Sequence, residues 1–102
     1  MQDAEALYQN VASQIPDAIS GKLFGKPCYK INGKAFCCFF QGEMVFKLDE
    51  ESRVACLNLE GTHLFDPSGK GRPMKAWVQV PVEYHEHWHR FAVAAAHFTG
   101  NL

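Results

Sequence analysis

Residues 35–40 read Ala-Phe-Cys-Cys-Phe-Phe, an unbroken apolar run. On a β-strand successive side chains point to opposite faces, so Phe36, Cys38 and Phe40 form one row and Ala35, Cys37 and Phe39 the other. A strand apolar on both faces needs cover on both. It belongs in the middle of a sheet, packed on each side by its own chain or on one side by a partner chain in a homodimer. Its flanks name its neighbours. Asn32-Gly33 supplies positive φ at both central positions of a type I′ turn and joins it to a strand over 28–31. Gln41-Gly42 leads to a third strand over 44–48, where Met44, Phe46 and Leu48 alternate with Val45 and Lys47. These three segments form a meander.

Helical periodicity brackets the meander. Ala4, Leu7, Tyr8, Val11 and Ile15 make one apolar stripe at helical spacing, with Asp3 as the cap and Pro16 as the stop. Gly21, Gly25 and Pro27 then read as a loop. After the meander, Asp49-Glu50-Glu51 suits the positive end of a short helix, with Val54, Leu57 and Leu59 on its buried side and Gly61 at its end. Two strands, 62–65 and 74–80, enclose a polar loop over 66–73. Pro81 suits the first turn of a last helix, whose residues Tyr84, Trp88, Phe91, Ala95 and Phe98 repeat at 4, 3, 4 and 3. The element order is α-β-β-β-α-β-β-α, a two-layer α+β domain spanning 1–102. A chain of 102 residues, 47% hydrophobic and 13% aromatic, buries roughly 65% of its unfolded surface without a disulfide or structural metal.

The acidic start Met1-Gln2-Asp3-Ala4-Glu5 lacks the apolar core of a secretory signal, and no apolar run is long enough to span a bilayer. Cys28, Cys37, Cys38 and Cys56 therefore read as reduced core thiols of a cytoplasmic protein with no membrane partner.

Three candidate chemistries weaken on inspection. His85-Glu86-His87-Trp88-His89 is a literal H-E-x-x-H, which in zinc peptidases sets two imidazoles on one helical face. The longer peptidase signature requires Gly at 92 and His at 95, and both positions are Ala. His97 lies about 80° around the helix from His89, so it does not join the pair. His85 and His89 are then at most an adventitious metal site. Asp66-Pro67-Ser68-Gly69-Lys70-Gly71 lacks the first Gly and the Ser/Thr of a phosphate loop and lies between two strands. Cys28 could serve as a nucleophile only with a His or positive charge beside it, and no His precedes His63. A small metal- or thiol-dependent enzyme built on His85/His89 or Cys28 is the alternative to a non-catalytic protein. No cofactor is implied.

Charge placement is more informative. The net charge is only −1, yet no acid lies between Asp17 and Glu43, where Lys22, Lys26, Lys30 and Lys34 fall. None lies between Asp66 and Glu83, where Lys70, Arg72 and Lys75 fall. If these windows meet, they form a positive patch near Phe24, Tyr29 and Trp77, suited to an acidic protein or a nucleic acid. The plainer reading is lysines that guard strand edges.

Lys22-Leu23-Phe24-Gly25, Tyr29-Lys30-Ile31-Asn32-Gly33-Lys34-Ala35-Phe36 and Met44-Val45-Phe46-Lys47-Leu48, taken in order, resemble the TfoX N-terminal domain family. That family carries a Met-Phe-Gly-Gly turn, a G-x-x-F strand start and a strand ending in Leu-Lys. Trp77-Val78-Gln79-Val80-Pro81 is similar to its final hairpin and the Pro that opens its last helix. The resemblance spans about residues 20–98, with Leu23 where Met is usual and Lys26-Pro27 where Gly and an aromatic are common. It implies an antiparallel five-stranded sheet packed by helices and a regulatory or binding role. It supplies no catalytic residues.

Overall fold

The computed structural model describes residues 3–23, 25–66, 69–71 and 74–102. Its helices are α1 (Ala4–Ser13), α2 (Glu50–Leu57) and α3 (His85–Gly100). Its strands are β1 (Ile19–Leu23), β2 (Lys26–Ile31), β3 (Lys34–Phe40), β4 (Glu43–Lys47), β5 (His63–Phe65) and β6 (Met74–Val80). They form one antiparallel sheet in the order β1-β2-β3-β4-β6-β5. The α+β class and the helix–meander–helix–hairpin–helix progression follow the sequence, but among the described residues the sheet has six strands rather than five.

The extra strand is β1. Its sequence Ile-Ser-Gly-Lys-Leu carries little strand propensity, and Gly21 and Gly25 mark it as a loop. Pairing decides otherwise: Ile19 to Leu23 run opposite Lys30 to Lys26. Packing does not demand glycine at 21, because a Cβ there would meet only the flexible Lys30 side chain closely, its Cε at 3.3 Å. An edge strand tolerates such a residue.

The turns behave as their residues dictate. Asn32 and Gly33 have φ of 52° and 78°, and Gln41 and Gly42 have 52° and 79°. Asp3 caps α1 by accepting from the Glu5 N–H at 3.1 Å, and Asp49 caps α2 by accepting from the Ser52 N–H at 2.8 Å. The last helix starts later than Pro81 suggests. Val82–Tyr84 form a 3-10 turn, and the Tyr84 hydroxyl donates to the Glu60 carbonyl at 2.7 Å.

All three helices pack against one side of the sheet. Tyr8, Ala12 and Ile15 from the α1 segment, Cys56 from α2, and Trp88, Phe91, Ala92, Ala95 and Ala96 from α3 meet Met44, Phe46, Leu48, Val78 and Val80. Each fully buried aromatic here contributes about 1.5–3 kcal/mol. On α2 the anchor is Cys56, whereas Val54 is 56% exposed and faces away from the core.

The two-faced strand β3 contains a bulge. Tyr29 faces Cys37 but Lys30 faces Ala35, so Phe36 is an extra residue in the ladder. Phe36 and Cys37 consequently both enter the helix-side core, while Cys38 enters a second cluster with Cys28, Val45, Phe65 and Trp77 on the helix-free side. Phe36, Cys37 and Cys38 are all buried within the single chain. These three residues ask for no partner sheet, while Ala35, Phe39 and Phe40 are half-buried.

Among the described residues no helix is long and apolar enough to cross a membrane.

Candidate binding face

The helix-free side owes its cover to the shape of the sheet. β5 follows a three-residue bulge in its ladder: Leu64 faces Val78 but Phe65 faces Met74, leaving Lys75, Ala76 and Trp77 out of register. Phe65 then meets Phe40 edge-to-face at 5.2 Å between ring centroids. The Lys26 ammonium stands 4.9 Å from the Phe40 ring centroid, and Leu23 and Met74 pack against the same cluster. Contacts thus run from Lys26 through Phe40 and Phe65 to Met74. They bring the β1–β2 turn to the segment that joins β5 to β6.

The two acid-free windows meet there in part. Lys26 and Phe40 come from the first side, and a hollow of about 480 Å³ lined by Phe40, Gln41, Glu43, His63, Asp66, Gly69 and Gln79 carries the loop holding Lys70. The pairing of Lys47 with Trp77 puts a further cation, absent from the sequence-based set, on this face. Lys30 lies across Gly21 on the same side as Cys28, and Lys75 is exposed in the β6 bulge. Only strand register could have revealed Lys47, since its sequence neighbours are Phe46 and Leu48.

The acids at this face are engaged. Glu43 accepts from Gln79 Nε2 at 2.6 Å. Asp66 accepts from the Gly69 and Gly71 N–H groups at 3.1 and 2.9 Å. Two of the loop's backbone donors, the Gly69 and Gly71 N–H groups, are thus taken by its own carboxylate rather than left for a phosphate.

Other sequence-derived candidates go elsewhere. Lys22 lines an open hollow of about 460 Å³ between α1 and the β1–β2 hairpin, with Glu5, Gln9 and Tyr29. Tyr29 packs edge-to-face on Tyr8 at 5.8 Å, on the helix-covered side. The Lys34 ammonium donates to the Leu102 carbonyl at 3.2 Å. Trp77, only 7% exposed, is a packing residue of the second cluster and presents no open ring for stacking. Phe24 and Arg72 lie outside the described residues.

The enzyme alternative gains little from the geometry. His85 is the first residue of α3, with its Nδ1 3.0 Å from the Val82 carbonyl, and His89 is exposed one turn later. No group of three or more His, Cys, Asp or Glu able to hold a metal occurs among the described residues. Burial raises the Cys28 thiol above its ordinary range, against the opposing pull of Lys30 and Lys22.

Compared with known proteins, the chain matches no family model, no curated protein and no solved structure.

Proposed function

We propose that this chain is a TfoX N-terminal-like, non-catalytic binding module of the cytoplasm that holds nucleic acid against the helix-free side of its sheet. The observation that carries this reading is the contact path Lys26–Phe40–Phe65–Met74, which draws one basic window to the other. Lys26, Lys30, Lys47 and Lys70 supply the positive field. Glu43 and Asp66 lie on the same side and subtract from that field, their carboxylates held by hydrogen bonds within the chain. A phosphate backbone suits this surface, since the buried Trp77 and Phe65 offer no base-reading groups and backbone contact needs none.

The test is fluorescence anisotropy with labelled duplex DNA across a salt series, comparing wild type with a Lys26→Glu/Lys70→Glu double variant. Lys34→Glu, at the far hairpin, serves as control. Wild type binds with a steep salt slope, and the double variant loses affinity along with about 0.9 of that slope per phosphate contact removed. Equal binding by wild type and the double variant would refute the reading. Binding to acidic protein but not to DNA would also refute it, in favour of a protein partner.

A further inference from the structure

Cys28 on β2 and Cys38 on β3 stand directly opposite each other in the antiparallel ladder. Both thiols are free and buried, and both enter the helix-free cluster with Val45, Phe65 and Trp77. Opposed residues of such a ladder have Cα atoms about 4.5–5.5 Å apart, inside the range of about 4.4–6.8 Å that a disulfide spans. The other two cysteines are placed differently. Cys37 faces Tyr29 on the helix-covered side, and Cys56 sits on α2. We propose that Cys28 and Cys38 are a redox modification site, oxidised by a peroxide to an intramolecular disulfide that ties β2 to β3 and reduced again by a dithiol.

The surroundings assign the order of events. Cys28 Sγ lies 3.8 Å from the point where Gly21 would carry a Cβ, and Gly21 belongs to the edge strand β1. Its cover on that flank is the Lys30 side chain, whose Cε is 3.3 Å from the same point and whose long stem moves easily. Burial raises the Cys28 thiol, and Lys30 and Lys22 oppose that rise. Cys38 is pushed up to about 12 by burial first and by Cys28 second, so it stays a thiol. Cys28 is therefore the attacking sulfur and Cys38 the resolving one.

In the first step the Cys28 thiolate attacks a peroxide oxygen. An S–O bond forms, the O–O bond breaks, and the departing hydroxide takes a proton to become water. In the second step the Cys38 sulfur displaces the hydroxyl of the Cys28 sulfenic acid. The S–S bond forms, the S–O bond breaks, and the Cys38 proton leaves with the hydroxyl as a second water. Two electrons from the two sulfurs reduce one hydrogen peroxide to two waters. A dithiol reverses the change by exchange, becoming a disulfide itself as Cys28 and Cys38 regain their protons.

The experiment treats the whole chain with hydrogen peroxide, alkylates it under denaturing conditions and maps its tryptic peptides without reduction. The expected product is a link between peptides 23–30 and 35–47, with alkylatable thiols falling from four to two and returning with dithiothreitol. Cys37 and Cys38 share one peptide, so Cys37→Ser is run alongside and must keep the link, while Cys38→Ser must lose it. Fragment-ion sequencing of the wild-type linked peptide assigns the sulfur even if a variant fails to fold. A Cys28–Cys37 link, links between molecules only, or four alkylated thiols after peroxide would each overturn the proposal.

Discussion

Phe40 and Phe65 touch edge-to-face at 5.2 Å although β4 and β6 lie between their strands. Strands spaced about 4.8 Å apart would put third neighbours about 14 Å apart on a flat sheet. Curling of the sheet, together with both rings leaning over β4 and β6, closes that gap. The second hydrophobic cluster thus needs no helix above it, and Phe65 is fully buried at its centre.

Phe65→Ala should accordingly cost as much as a deletion in the helix-side core, about 3–5 kcal/mol in urea unfolding. A loss below about 1 kcal/mol would mean that the helix-free side is not a packed core.

Tyr8 gives a prediction of opposite sign. Its hydroxyl is buried with no hydrogen-bond partner, and burial, followed by the nearby Cys37, raises its ionisation far above the ordinary tyrosine range. Removing an unpaired buried hydroxyl relieves a desolvation cost. Tyr8→Phe should be neutral or stabilising by about 1 kcal/mol, with the rings of Tyr29 and Phe39 still packed on it. A clear loss in thermal unfolding would show that the hydroxyl is bonded, for instance to a neighbouring thiol.

The α2 cap sets a pH dependence. Hydrogen bonds from Ser52, backbone first and side chain second, hold the Asp49 carboxyl below its ordinary range. With the folded value depressed, the stabilisation is present above the unfolded pKa of about 3.9 and is lost as pH falls through the folded value. Asp49→Ala should lower the melting temperature at neutral pH, with the gap to wild type narrowing in acid. A gap unchanged down to the lowest pH at which the chain stays folded would contradict the cap's ionic role.

Gly33 tests the first hairpin. Its φ of 78° leaves a Cβ in open space, so Gly33→Ala meets backbone strain alone. The expected loss is about 1–2 kcal/mol in chemical unfolding. No loss would mean that the turn relaxes to another type.

These contrasts show what the sequence could carry. The Asn32-Gly33 and Gln41-Gly42 turns, the Tyr8 stripe and the Trp88–Ala95 face are local patterns, and local patterns are legible in residues. β1 was not, because its evidence is its pairing with β2 and its own Ser-Gly centre argues against a strand. Nor was the bulge at Phe36, which puts Ala35 with Cys38 and Phe36 with Cys37 without altering composition. The same limit governs the candidate face. Acid-free windows mark where cations cluster along the chain, but register sends Lys22, Tyr29 and Lys34 away from Lys26 and brings Lys47 to the helix-free side. Trp77 reads as a contact residue until burial shows it packed.

A chemical-shift titration of the labelled protein with a short duplex DNA at low salt locates nucleic-acid contact on the molecule directly. Binding at the helix-free face should shift the amides of Lys26, Phe40, Lys47 and Gly69 to Gly71, with the shifts reversed by added salt and the α3 surface at Val93 and His97 unmoved. Shifts centred on α3, or none at any site, would contradict a nucleic-acid-binding role for the helix-free face.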